Sequence, residues 1–230
     1  MRIELRNVHR SFGAAVALRG VTLTVEHSER VGLVGPNGSG KSTLLRAVMG
    51  LVACDGEVRL DGLSPYAERL TVARRLAYVP QSAPRWGAPV REVIRTITAL
   101  RDLEYAAVEA QARALELDLA PIASRALCDL SGGMKQKLLL ALALAADVSL
   151  LILDEPTASL DARGRARLLA LLEERARGRT LLLCSHRADD LRERVTRLVA
   201  LRDGAVTWDG DAAEYSEEAS DETPREVSHA

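Results

Sequence analysis

Apolar and polar positions change their period three times along this 230-residue chain, and the changes mark out its elements. Residues 2–8 alternate, with Ile3 and Leu5 apolar and Glu4 and Arg6 between them, the period of a half-buried strand. Residues 16–25, 56–60 and 76–80 read as further strands, the last ended by Pro80. They surround in sequence a short apolar run at 30–34, so a small antiparallel sheet is predicted beside that run. From 81 to 129 the pattern turns helical: Val90, Val93, Ile94 and Ile97, then Val108, Ala112 and Leu115, recur at helical spacing. This predicts a helical insert without a strand. Helix and strand then alternate as helix 132–146, strand 149–153, helix 162–176, strand 179–184, helix 187–194 and strand 197–201. The continuous apolar runs at 150–153 and 181–183 suit strands buried on both faces of a parallel sheet. Residues 209–230 are rich in Asp, Glu, Ser and Ala and poor in large apolar groups, which predicts a mostly disordered acidic tail.

The run at 30–34 leads into Gly35-Pro36-Asn37-Gly38-Ser39-Gly40-Lys41-Ser42-Thr43, which fits G-x-x-x-x-G-K-[ST], and residues 44–49 read as a helix. Strand, glycine-rich loop and helix in that order form a phosphate-binding loop, because glycines let backbone N–H groups close on an anion at a helix N-terminus. Lys41 is expected to reach the β- and γ-phosphates and the Ser42 hydroxyl to hold Mg²⁺. Lysine is scarce here, at three of 31 basic residues, which makes the one at position 41 more telling. The chain is expected to bind a nucleoside triphosphate.

A phosphate-binding loop needs a carboxylate at the end of another core strand. Leu150-Leu151-Ile152-Leu153-Asp154-Glu155 supplies two: Asp154 to contact Mg²⁺ or its water, and Glu155 to orient and polarise the attacking water. Leu130-Ser131-Gly132-Gly133-Met134 opens a long helix, and two glycines and a serine there make an anion site or a serine cap with a flexible turn.

Composition narrows the classes. Apolar residues at 47% and charged residues at 27% are those of an ordinary globular protein. A net charge of −1 gives no reason to expect a nucleic-acid partner. Three well-separated cysteines (Cys54, Cys128, Cys184) read as reduced, mostly buried thiols. Met1–Asn7 lacks an apolar signal region. The longest apolar stretch, 138–153, holds Asp147 and Ser149 and divides into a helix and a strand rather than a membrane span. A cytoplasmic chain is expected.

The glycine-rich loop, LSGGM at 130–134, LLILDEP at 150–156 and Ser159-Leu160-Asp161, with Gln81 and His186, stand in the order and spacing of ATP-binding cassette (ABC) ATPases, which this chain resembles over residues 2–208. The resemblance implies an α/β fold: a RecA-like P-loop NTPase core with a small antiparallel β subdomain (together 1–80 and 130–208) and an inserted α-helical subdomain (81–129). It implies that Gln81 contacts Mg²⁺ or water and moves with the insert, and that His186 hydrogen-bonds the γ-phosphate. Asp161 would link the two sites of a dimer, and Phe12 would stack on adenine, so the preference for ATP is inherited from the family. Ser131, Gly132 and Gly133 would bind ATP held by a second subunit. Residue 134 is Met where the family more often has Gln, which removes a side-chain amide but leaves the backbone; catalysis is expected to survive.

The expectation is therefore an ATP- and Mg²⁺-dependent ATPase subunit of an ABC transporter. It would dimerise around two ATP molecules and sit on the inner face of the membrane through separate permease subunits, with export favoured. Their contact is expected beside Gln81 and 82–90, where Trp86 is an exposed-aromatic candidate. The alternative is a soluble ABC ATPase acting in assembly of another complex.

Overall fold

A computed structural model describes residues 1–192 and 194–216. Its central sheet has the order β5-β6-β7-β3-β8-β9, in which β3 (Arg30–Val34), β5 (Leu76–Val79), β6 (Leu150–Asp154), β7 (Thr180–Cys184) and β8 (Arg197–Arg202) are parallel. β9 (Ala205–Asp211) adds antiparallel to β8. Every residue of β6 and β7 is buried. Their side chains divide by parity: Leu151, Leu153, Leu181 and Leu183 enter one core, while Leu150, Ile152, Leu182 and Cys184 enter the other. That division is why these strands read as unbroken apolar runs.

The second sheet is antiparallel, ordered β2-β1-β4, from β1 (Ile3–Phe12), β2 (Ala15–Val25) and β4 (Asp55–Leu60). Ile3, Leu5, Leu18 and Leu23 pack inward against Leu44 and Leu45 of α1 (Lys41–Val48) in one core. On the opposite face of the central sheet lie α3 (Val90–Arg101), α4 (Tyr105–Ala114) and α5 (Gly132–Ala145), joined through Ile94, Val108, Leu115, Leu138 and Leu140. The two helices between 81 and 129 are accompanied by short 3₁₀ turns at Ala120–Ile122 and Leu127–Asp129. The segment closes on itself through Val90 N–H to Arg125 O and Leu127 N–H to Ala88 O. α6 (Ala162–Arg175) packs Leu168 and Leu172 beneath the sheet.

Four expectations need correction. Leu76–Val79 does not join the small antiparallel sheet: it pairs in parallel with β6, Leu76 with Leu150 through Val79 with Leu153. With Leu76, Ala77 and Val79 all buried, a four-residue run cannot announce which sheet it enters. A six-residue helix, α2 (Arg69–Arg74), precedes it and is too short to show a period. The helix expected at 187–194 reduces to a 3₁₀ turn at Ala188–Asp190 followed by turns, with residue 193 outside the described residues. The segment expected as tail from 209 begins as structure instead. Asp209 to Asp211 belong to β9, and Ala212 and Tyr215 are buried; residues 217–230 lie outside the described residues. Of the cysteines, Cys184 is buried, Cys54 half-buried and Cys128 exposed.

Candidate functional site: a phosphate-binding groove at the sheet edge

β3 lies between β7 and β8 and delivers its loop to the C-terminal edge of the parallel strands, the place where open α/β sheets bind ligands. The loop residues Asn37 to Thr43 line a groove of about 270 Å³ together with Gln81, Asp154, Glu155 and Ala17. Gly40 caps α1 with φ +105°, and a Cβ at that position would sit 2.5 Å from the carbonyl oxygen of Ala17. Only glycine fits this turn. The loop therefore presents the free N–H groups of the first turn of α1 to the groove. Lys41 is buried and its Nζ donates to the carbonyls of Gly35 (2.6 Å) and Pro36 (3.1 Å), which fixes a positive charge against the loop. Ser39 is buried too, and its Oγ has no hydrogen-bond partner.

Ser42, on the first turn of α1, and Asp154, at the end of β6, meet across the groove floor: Ser42 Oγ donates to Asp154 Oδ2 at 3.2 Å. Asp154 is almost fully buried. The Tyr78 hydroxyl approaches the same oxygen at 3.5 Å, and burial, reinforced by the Asp154 charge, pushes the Tyr78 phenol up to about 12. Among the described residues no group of three or more His, Cys, Asp or Glu gathers as a self-sufficient metal cluster. Two hard oxygens beside an anion groove instead suit Mg²⁺, which takes one or two protein ligands and completes its shell from phosphate oxygens and water.

Glu155 is buried and adopts a left-handed backbone, φ +50°, costly for a residue with a side chain. Its N–H donates to the carbonyl of Cys184 at 3.1 Å, so the strand end turns sharply under restraint from β7. The carboxylate is met by His186 Nδ1 at 3.0 and 3.1 Å from its two oxygens. Nδ1 must carry the hydrogen, since a carboxylate only accepts. His186 was expected over a phosphate; in this structure its ring holds Glu155, and with Gly35 and Pro36 it lines an adjoining cavity of about 300 Å³. Cys184 is wholly buried between these groups, and desolvation holds its thiol protonated well above the ordinary range.

Ser131, Gly132, Gly133 and Asp161 are not brought into the groove; none of them is among the residues that line it. Ser131 and Gly132 are exposed at the start of α5, where Ser131 Oγ accepts the N–H of Met134 at 3.3 Å. A Cβ on Gly133 would lie 3.1 Å from the carbonyl oxygen of Ser159, so this turn packs against the segment leading to Asp161. Asp161 caps α6 through Gly164 N–H at 2.7 Å. Phe12 stands at the end of β1, 47% exposed. Trp86 is exposed as well, and its indole borders a mainly apolar groove with Pro80, Ile97 and Leu100.

Two lining or contacting residues escaped sequence reasoning. Tyr78 looked like one polar-tipped strand position among others. Ala17 enters the groove because the β1–β2 register slips between Arg10/Leu18 and Ser11/Val16, leaving Ala17 as an extra residue; no residue type signals such a bulge.

Comparison with known proteins decides the family. The family described as ABC transporter matches residues 18–158. The chain belongs to that family. It is an ABC ATPase with the P-loop NTPase fold and the antiparallel β subdomain described above. A phosphonates import ATP-binding protein PhnC of Anaeromyxobacter dehalogenans is 36% identical over 228 residues, covering 92% of this chain and 46% of its own length. This ABC ATPase thus spans under half of that relative. A Nod factor export ATP-binding protein I of Paraburkholderia xenovorans is 37% identical over 220 residues, covering 90% of this chain and 70% of its own. Among solved structures, one described as "Structure of ATP binding subunit of ABC transporter" superposes with TM-score 0.82 at 27% identity, covering 92% of this chain and 90% of that one.

Proposed function

We propose that this ABC ATPase hydrolyses ATP at a site completed by a second copy of itself, and that closing and opening of the pair drives separate membrane subunits. The observation that supports it best is a half-site. The phosphate loop, Ser42, Asp154, Glu155 and Gln81 converge on one groove, while Ser131 and Gly132 are exposed elsewhere, with Gly133 half-buried beside them. Two such chains related by a two-fold axis satisfy both halves at once. Gly35–Thr43 and Lys41 bind the triphosphate, Phe12 offers a face to the base, and Ser131–Gly133 and Asp161 meet the nucleotide from across the interface. Ser42 and Asp154, with Gln81, hold Mg²⁺, which when bound neutralises charge on the phosphate oxygens. Glu155 accepts a proton from the attacking water, and His186 fixes the orientation of that carboxylate. Residues 81–129 act as a helical subdomain that carries Gln81 at one junction with the core.

No helix among the described residues is long and apolar enough to cross a membrane, so coupling to transport runs through partners. The named relatives include both an importer and an exporter subunit; we therefore assign this ABC ATPase the coupling and leave direction to the membrane partner, which contacts the substrate.

Glu155→Gln tests the reading. Hydrolysis is expected to fall at least about 100-fold, with an ATP- and Mg²⁺-dependent dimer accumulating in size-exclusion chromatography with light scattering. Wild-type hydrolysis, or a monomer at saturating ATP, rejects it.

A further inference from the structure

Phe12 is the chain's one phenylalanine, and it is exposed where an unpartnered aromatic would rotate freely. It is not unpartnered. Arg10, two residues earlier on the same face of β1, places its guanidinium carbon 4.6 Å from the centre of the Phe12 ring. That guanidinium is itself held: Nη1 donates to the carbonyl of Ala53 at 2.9 Å, and Nε is buried without a partner. One face of the ring is thus covered by an anchored planar cation, and the side chain remains 47% exposed.

The position of this pair gives it a purpose. Phe12 pairs with Ala15 at the closed end of the β1–β2 hairpin, and two residues on, the bulged Ala17 lines the phosphate groove. The Ala17 carbonyl packs on Gly40, at the root of α1. The hairpin end is therefore seated on the loop, with the Phe12 ring at its tip.

We propose that Arg10 is a positioning residue for nucleotide binding: it backs the Phe12 ring, fixes its plane and leaves the opposite face as a ready platform for the base. The proposal rests on the reading of Phe12 given above and deepens it. A ring held in the bound orientation does not lose rotamer freedom on binding, and a cation on the far face of an aromatic is itself favourable. Stacking reads the π-face and not the edge of the base. Arg10 should accordingly strengthen binding of ATP and GTP alike and have no effect on a triphosphate without a base.

The test uses the full chain and measures Kd by titration calorimetry for ATP, GTP and inorganic tripolyphosphate, with kcat alongside. Arg10→Ala is expected to weaken ATP and GTP by about two- to fivefold, leaving tripolyphosphate affinity and kcat at saturating ATP unchanged. Arg10→Lys, which keeps the charge without the planar face and guards against loss of fold, should recover part of the difference. In a Phe12→Ala background, which alone should weaken ATP further, Arg10→Ala should add nothing. If Phe12→Ala weakens ATP but Arg10→Ala does not, Arg10 has no positioning role and the Phe12 reading stands. If Arg10→Ala weakens tripolyphosphate equally, it acts by disturbing the loop and the proposal fails. If Phe12→Ala leaves ATP binding unchanged, the platform reading fails and takes the proposal with it.

Discussion

At the scale of single residues, the phosphate loop depends on places where a side chain cannot go. Gly40 and Gly38 both have positive φ, +105° and +85°, yet their surroundings differ: a Cβ at Gly40 meets the Ala17 carbonyl at 2.5 Å, while one at Gly38 meets nothing within 4 Å. Gly40→Ala should combine backbone strain of about 1–3 kcal/mol with a clash against backbone that cannot yield. Gly38→Ala should show the strain alone. We expect Gly40→Ala to abolish measurable ATP binding in calorimetry and Gly38→Ala to retain it with a modest loss of thermal stability. Equal ATP affinities in the two variants would contradict this account of the loop. Glu155 is the opposite case, a residue with a side chain in a left-handed conformation. The restraint is its N–H bond to Cys184 and the result is a carboxylate turned onto His186. The glycines of the loop were legible because their spacing is a chemical requirement. The Glu155 turn was not, because it depends on Cys184 at the end of β7, a strand distant in sequence.

At the scale of elements, three helix starts coincide with the chain's motifs. α1, α5 and α6 are capped at their N-termini by Gly40, Ser131 and Asp161, each of which also belongs to a sequence motif. For Asp161 this creates two roles that can be separated. Its carboxylate accepts the Gly164 N–H at 2.7 Å, so Asp161→Ala should cost about 1 kcal/mol of stability in urea unfolding. Asp161→Asn keeps a capping oxygen and should unfold at nearly the wild-type urea concentration. A drop in ATPase activity in the folded Asp161→Asn variant would then report on the proposed role across the interface. If Asp161→Ala is as stable as wild type, the cap contributes nothing. The helix over 90–101 was readable from its apolar spacing, and that over 132–145 from the length of its unbroken apolar run after Lys137 rather than from any period. α2 is not legible in the sequence, and the 3₁₀ turn at Ala188–Asp190 reads there as part of a longer helix, because three to six residues hold too little of any period.

At the scale of the whole molecule, β9 extends the central sheet beyond the point where composition turns acidic. Arg197 on β8 binds Asp209 bidentately, at 2.5 and 2.6 Å, and reaches Glu29 at 3.1 Å. These carboxylates hold the guanidinium firmly in its charged form. Ala212 and Tyr215 are buried just after the strand. A chain ending at 208 loses Asp209 and both buried residues, and should be less stable than one ending at 216 by about 2–4 kcal/mol. Chemical denaturation of the two truncations measures this directly, and coincident unfolding midpoints would show that β9 adds no stability.

The sequence by itself marked out the glycine-rich loop between a strand and a helix, the two acids that end a buried strand, and the Ser-Gly-Gly start of a long helix. These are legible because each requirement falls within a few adjacent residues. The tertiary structure decided what depends on distant partners. It put Leu76–Val79 beside β6, seated the Ala17 bulge on Gly40 and stacked Arg10 on Phe12. It also turned Glu155 toward His186 and left Ser131–Gly133 outside their own chain's groove. Sheet membership, bulges and side-chain stacking are set by what packs opposite, and that information is spread across the whole chain rather than written at any one position.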